Sequence, residues 1–98
     1  FEPLRRLLNE IGGCSIYVSL DIDVVDPSFA PGTGTPEPGG ISVSDLFRAL
    51  SLLRGFNIVG FDLVEISPPN DVNAITSLLG AKIIREVLIM LGGDSVDQ

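Results

Sequence analysis

The sequence contains no histidine and few basic residues. Its 98 residues include six Lys and Arg against 13 Asp and Glu, which gives a net charge of −7 at pH 7. The basic residues are scattered, so the chain lacks the basic patch with which proteins bind nucleic acid phosphates. It also lacks a basic amphipathic helix suited to an anionic membrane. We therefore expect neither nucleic acid nor membrane among its partners.

Cysteine is equally scarce, since Cys14 is the only one. A single cysteine forms no disulfide within the chain, and we expect its side chain to be a small buried hydrophobic group. The longest apolar stretches are shorter than the roughly 20 residues that span a bilayer. The chain begins at Phe1, without a signal-peptide pattern. We expect a cytoplasmic protein, in the form of a fragment or a processed chain.

Apolar residues, by contrast, are abundant. They make up 45% of the chain, which is typical of a folded protein rather than a disordered one. A free-standing domain of this length buries only a modest fraction of its unfolded surface. We therefore expect some apolar faces to contact structure outside this chain, or a partner chain.

Apolar spacing predicts alternating helices and strands. Helices are predicted over residues 1–11, 43–54 and 71–91, and strands over 16–22 and 57–66. Ser42 and Asp45 form a capping-box pattern before the second helix. The predicted apolar face of the last helix consists of Ile75, Leu78, Leu79, Ile83, Val87 and Met90. Gly92 and Gly93 are predicted to end it, with residues 94–98 frayed. This order of elements indicates an α/β fold with a parallel sheet.

A loop rich in glycine and proline separates the first strand from the second helix. Residues 27–40, which we call the Gly/Pro loop, contain four prolines and four glycines. That density excludes a regular element, and long loops inside compact domains are usually functional or disordered. Thr33 and Thr35 have hydroxyls that suit either a polar substrate or ordinary turn chemistry.

Two acidic residues lie at the end of the first predicted strand. Asp21 and Asp23 alternate along it, so both side chains are expected on one face, with Cα atoms about 6.6 Å apart. No basic residue lies near them in the sequence, and a divalent cation would offset their repulsion. Hard oxygen ligands suit Mg²⁺, Ca²⁺ or Mn²⁺. The alternative, that these acids cap the following turn, stays open.

Glu65 ends the second predicted strand. The carboxyl ends of parallel strands lie at one edge of the sheet, so Glu65 is expected near Asp21 and Asp23. An unpaired carboxylate there suits bidentate binding of a cationic group, although a solvated charge is the simpler alternative. Three other acids, Asp26, Asp62 and Asp71, are interpreted as structural. Asp26 and Asp71 are expected to be turn or cap residues.

Two segments resemble a known family. Residues 19–40 read SLDIDVVDPSFAPGTGTPEPGG, which resembles the last signature of the arginase–agmatinase family, the ureohydrolases. Residues 60–71 read GFDLVEISPPND and resemble that family's strand-end segment. The resemblance implies that residues 1–98 are the C-terminal third of a single ureohydrolase domain. It also implies a three-layer α/β/α sandwich with a mainly parallel sheet.

The resemblance further implies a chemistry. Family members hydrolyse guanidinium compounds with two Mn²⁺ ions, releasing urea in most branches. By match to the motifs, Asp21 and Asp23 are expected metal ligands, Glu65 the carboxylate that holds the guanidinium, and Thr35 a minor substrate contact. The segments look more like those of agmatinases and guanidinobutyrases than of arginases. We expect agmatine as substrate, conversion to putrescine and urea, and a homo-oligomer.

The sequence departs from the family in lacking histidine ligands and the upstream aspartate cluster. We therefore expect the 98-residue chain alone to be inactive and to bind metal weakly.

Two further interpretations remain. Residues 21–25 also fit the motif of haloacid-dehalogenase-type phosphatases, with Asp21 as nucleophile and Asp23 as acid/base. The second interpretation is that the chain is a non-catalytic interaction module.

Overall fold

Three helices and two strands make up the fold in the computed structural model, which describes residues 1–92. The helices are α1 (Glu2–Ile11), α2 (Val43–Ser51) and α3 (Ile75–Gly92), and the strands are β1 (Ile16–Asp21) and β2 (Ile58–Val64). Single 3₁₀ turns cover Ile22–Val24, Pro68–Asn70 and Val72–Ala74. The predicted stop at Gly93 and the predicted fraying of residues 94–98 lie outside the described residues.

The two strands pair in parallel, as predicted. Tyr17 lies opposite Gly60, Ser19 opposite Asp62, and Asp21 opposite Val64. A parallel pair needs a long connection between its strands, and the Gly/Pro loop and α2 provide it. The carboxyl ends of both strands therefore lie at the same edge of the sheet.

The core lies on one face of this sheet. Side chains alternate along a strand, so Ile16, Val18 and Leu20 pack against the core while Tyr17 and Ser19 are exposed on the other face. The buried apolar side chains are Leu8, Ile22, Val25, Ala30, Leu46, Leu50, Leu53, Ile83 and Val87. They come from all three helices, from the turn and loop after β1, and from the turn after α2.

The predicted cap of α2 is confirmed. The Ser42 side chain accepts a hydrogen bond from the Asp45 amide at 3.0 Å, which satisfies one of the free amides of the first turn. The helix ends at Ser51, earlier than predicted, and turns continue the chain to Gly55. Gly55 has a φ of 89°, a conformation that suits glycine after a helix.

The predicted apolar face of α3 is partly wrong. The helix begins at Ile75 rather than residue 71, and Ile75 and Leu78 are 46% and 67% exposed. The other predicted residues, Leu79, Ile83, Val87 and Met90, do pack in the core. Apolar residues lie on most sides of α3, so periodicity did not separate these from the exposed ones. Thr76 and Gly80 are buried as well. A Cβ on Gly80 would lie 2.5 Å from Ile66 Cδ1, so the missing side chain allows close packing.

Cys14 is exposed, contrary to the prediction that it is buried. It lies in the turn that follows α1, where its neighbours Gly12, Gly13 and Ser15 are exposed as well. Many large apolar side chains are exposed too, among them Tyr17, Val59, Leu78 and Leu88. Within residues 1–92, no helix has the length and apolar character needed to cross a membrane.

Candidate active-site edge

The acidic end of β1 differs from the predicted geometry. Only Asp21 belongs to the strand, because residues 22–24 form a 3₁₀ turn that contains Asp23. Asp21 Oδ1 accepts a hydrogen bond from the Asp23 amide at 3.0 Å. This side-chain bond competes with strand pairing and ends the strand. Strand alternation and the predicted 6.6 Å separation therefore do not apply to Asp23, and Asp21 does cap the turn.

The structure brings Thr35 to Asp23. The Thr35 hydroxyl donates to Asp23 Oδ2 at 3.0 Å, although 12 residues separate the two in sequence. Thr35 is exposed, and Asp21 and Asp23 are half-buried beside the buried Ile22. The Gly/Pro loop therefore folds back over the end of β1.

Within the described residues, one oxygen of each aspartate has no protein partner. Among residues 1–92, no hydrogen bond reaches Asp21 Oδ2 or Asp23 Oδ1. Neither aspartate forms an ion pair in this part of the chain, where the ion pair present joins Arg48 to Asp45 on α2 at 3.6 Å. Such oxygens suit a hard divalent cation. No cluster of three or more metal-ligating side chains occurs in the described part of the chain. The donors present therefore fit a metal ion but complete no coordination sphere.

Glu65 lies at the same edge. Asp21 is opposite Val64 in the register, so Glu65 directly follows the residue paired with the end of β1. Its side chain is exposed and has no ion-pair partner within residues 1–92. Its φ is 75°, in the left-handed region that non-glycine residues rarely adopt. A residue held in this conformation costs about 1–3 kcal/mol of free energy, and the conformation persists where the surrounding structure imposes it.

Asp26 organises both ends of the Gly/Pro loop. Its carboxylate accepts hydrogen bonds from the amides of Ser28 at 2.9 Å, Gly39 at 2.9 Å and Gly40 at 3.2 Å. These bonds, that of Ser28 first, lower the pKa of Asp26 to about 2. The prediction that Asp26 is a turn residue is confirmed.

Asp62 joins the two strands on the uncovered face of the sheet. It accepts hydrogen bonds from the Ser19 hydroxyl at 2.6 Å and the Tyr17 hydroxyl at 2.8 Å. The Ser19 bond is the larger cause of the lowered pKa of Asp62, and the bond to Asp62 raises the pKa of Tyr17. Sequence reasoning interpreted Asp62 as structural but missed its partners, which only the strand register identifies.

Asp71 and Thr76 hold the start of α3 against the Gly/Pro loop. Asp71 accepts from the amides of Thr76 and Ser77, each at 2.8 Å, which confirms its predicted role as a cap. The Ser77 hydroxyl is the largest cause of the lowered pKa of Asp71. The Thr76 hydroxyl in turn accepts from the Gly32 amide at 2.8 Å. Sequence reasoning missed Thr76, because a polar residue in an apolar helix carries no periodic signal.

A comparison with protein families matches residues 2–94 to the arginase family. The chain belongs to the arginase family. The predicted family is therefore confirmed, and the phosphatase interpretation of Asp21 and Asp23 has no support. Membership also agrees with the parallel strands and with the acidic residues at their carboxyl ends.

Curated relatives of this family are similar over almost the whole chain. An agmatinase of Neisseria meningitidis serogroup C is 49% identical over 94 residues, which are 93% of this chain and 30% of the relative. A guanidinobutyrase of Pseudomonas aeruginosa is 46% identical over 93 residues, 94% of this chain and 29% of the relative. The chain thus spans about 30% of the length of the arginase-family proteins it matches.

Solved structures of the family confirm the arginase-like α/β fold. A hypothetical agmatinase from Burkholderia thailandensis superposes with a TM-score of 0.84 at 38% identity, covering 92% of this chain and 28% of that one. The proclavaminate amidino hydrolase of Streptomyces clavuligerus gives a TM-score of 0.84 at 43% identity, over 90% of this chain and 29% of that one. An arginase from Bacillus subtilis gives a TM-score of 0.80 at 31% identity, over 89% of this chain and 32% of that one.

Proposed function

We propose that this chain is the C-terminal third of a single ureohydrolase domain, and that the complete domain hydrolyses agmatine to putrescine and urea. The observation that carries the proposal is the set of carboxylates at one sheet edge, Asp21, Asp23 and Glu65, in a member of the arginase family. No basic side chain forms an ion pair with them in residues 1–92, so this edge can receive both metal ions and a cationic substrate.

In this proposal Asp21 and Asp23 hold metal through their unbonded oxygens. Two bound Mn²⁺ ions would lower the pKa of the attacking water. The Asp21 bond to the Asp23 amide and the Thr35 bond to Asp23 orient the two carboxylates before any ligand arrives. Preorganised carboxylates favour a defined coordination geometry. The remaining ligands are proposed to come from structure outside these residues.

Glu65 is proposed to hold the guanidinium. A carboxylate accepts two parallel N–H bonds from a guanidinium group, which fixes the orientation of the carbon to be attacked. The exposed side chain of Glu65 directly follows the sheet position opposite Asp21. Thr35, bonded to Asp23 at 3.0 Å, is proposed as a minor contact on the substrate side.

A guanidinobutyrase is the second candidate within the same chemistry. The Pseudomonas aeruginosa guanidinobutyrase is 46% identical to this chain, against 49% for the Neisseria meningitidis agmatinase. The residues that bind the substrate's tail are proposed to lie mainly outside this chain. We further propose a cytoplasmic homo-oligomer without nucleic acid or membrane partners.

A chimera tests the proposal. The 98 residues replace the matching segment of the Neisseria meningitidis agmatinase, and urea release from agmatine is measured with added Mn²⁺. We expect activity in the chimera, and Asp21→Asn or Asp23→Asn to lower kcat/KM by roughly 100-fold or more. Asp45→Asn, at a half-buried acid of α2 that pairs with Arg48, is the control and should leave kcat/KM unchanged. A folded chimera without activity would argue against the proposal.

A further inference from the structure

Both backbone groups of Gly32 are bonded to other segments. Its amide donates to the hydroxyl of the fully buried Thr76 at 2.8 Å, and its carbonyl accepts from the Ser67 amide at 2.8 Å. Thr76 belongs to α3, whereas Ser67 follows Glu65 by two residues. Gly32 therefore joins the Gly/Pro loop to α3 and to the segment after β2.

Asp71 completes this junction, which we call the Gly32 clamp (Gly32, Ser67, Asp71 and Thr76). Its two oxygens accept from the amides of Thr76 and Ser77, so the first turn of α3 is held in place. It also packs directly on Gly32, where a Cβ would lie 2.7 Å from Asp71 Oδ1. Any larger residue at position 32 would push the loop away from Asp71.

The clamp adjoins two residues of the candidate site. Glu65 precedes Ser67 by two residues and has a left-handed backbone, which neighbouring contacts must maintain. Thr35 follows Gly32 by three residues and bonds Asp23. Without the clamp, the chain around Glu65 is free to relax to a negative φ and change the direction of its carboxylate.

We infer that Thr76 and Asp71 are positioning residues, which hold Glu65 at a fixed place relative to Thr35 and Asp23 through Gly32. This inference rests on the proposed function for its effect on substrate, but the clamp itself is a property of the fold. Neither residue is assigned a contact with substrate or metal. Their loss is therefore expected to weaken guanidinium binding more than the chemical step.

The kinetic test compares two buried threonines in the agmatinase chimera. Thr76→Val removes the acceptor of the Gly32 amide, and we expect KM for agmatine to rise about tenfold, the effect of leaving one buried amide unpaired. kcat should change by less than about twofold, since the residues proposed to hold metal are untouched. Thr76→Ser keeps the hydroxyl and should restore KM.

Thr33→Val is the matched control. Thr33 is 3% exposed, so its hydroxyl is too buried for the substrate contact that its place in the loop suggested, and it has no hydrogen-bond partner within residues 1–92. The same substitution there removes no protein hydrogen bond, so KM should remain at the parent value. If Thr33→Val and Thr76→Val raise KM equally, or if neither raises it, the inference is overturned.

Hydrogen exchange tests the clamp independently of activity. The amides of Gly32 and Ser67 should exchange faster in Thr76→Val than in Thr33→Val. If Thr76→Val does not fold, Asp71→Asn is the second variant. It replaces an acceptor oxygen with an NH₂ group and should speed exchange at the same two amides. Unchanged exchange at Ser67 would overturn the inference. A parent chimera that releases no urea would contradict the proposed function, and exchange at Gly32 and Ser67 would still decide the clamp.

Discussion

Asp26 shows how one side chain can order a loop that has no regular structure. The Gly/Pro loop leaves β1 and returns to α2, and Asp26 accepts hydrogen bonds from amides at both of its ends. Its low pKa means that folding favours the ionised form. Asp23 and Thr35 lie on either side of Asp26 in sequence, so the order of this loop decides whether they meet.

Acid should loosen this loop through Asp26. The pKa is lowered in the folded state from 3.8 to about 2, so its contribution to stability is present above pH 3.8 and is lost as pH falls towards 2. Asp26→Asn should lower the free energy of unfolding at neutral pH and flatten its pH dependence between pH 3.8 and about 2. Unfolding at a series of pH values measures both effects. The control is Glu37→Gln on the same loop. Because Glu37 accepts no hydrogen bond in residues 1–92, its substitution should leave the pH dependence of stability intact.

At the scale of elements, local sequence signals predicted the start of α2 better than the packed side of α3. Ser42 predicted the beginning of α2, because a hydroxyl one residue before a helix satisfies a free amide. The packed side of α3 was predicted only in part, since Leu79, Ile83, Val87 and Met90 do pack in the core. The helix is apolar on most sides, and Thr76 and Gly80 pack through contacts with distant segments.

Removing the α2 cap should destabilise the chain measurably. Ser42→Ala leaves the Asp45 amide without its acceptor, and we expect the free energy of unfolding to fall by about 1 kcal/mol in a denaturant titration. Ser44→Ala, on an exposed position within α2, is the control and should be neutral or slightly stabilising. Equal effects of the two substitutions would show that the Ser42 bond contributes nothing.

The described residues of the molecule leave large apolar side chains exposed. In residues 1–92 the sheet has two strands and one of its faces is uncovered, and Tyr17, Val59 and Leu88 are more than 60% exposed. Exposed apolar surface and unpaired strand edges favour association. We therefore predict that the 98-residue chain self-associates in solution. Light scattering that gives a monomer mass at every concentration would contradict this prediction.

The isolated chain should also be inactive. Its carboxylates leave most coordination positions of a divalent cation to water, which gives weak binding. We expect no urea release from agmatine with added Mn²⁺, and no tight Mn²⁺ binding by calorimetry. The agmatinase chimera is the positive control. Submicromolar Mn²⁺ affinity in the 98-residue chain would overturn this prediction.

The sequence by itself determined the family, the parallel α/β order and the acids at the strand ends. These features depend on residue type and short-range spacing, which are visible along the chain. The tertiary structure alone decided that Asp23 lies in a turn, that Thr35 reaches it, and that Gly32 is held between Ser67 and Thr76. The contacts of Thr35 and Gly32 join residues far apart in sequence, and only the folded backbone sets the distances between them.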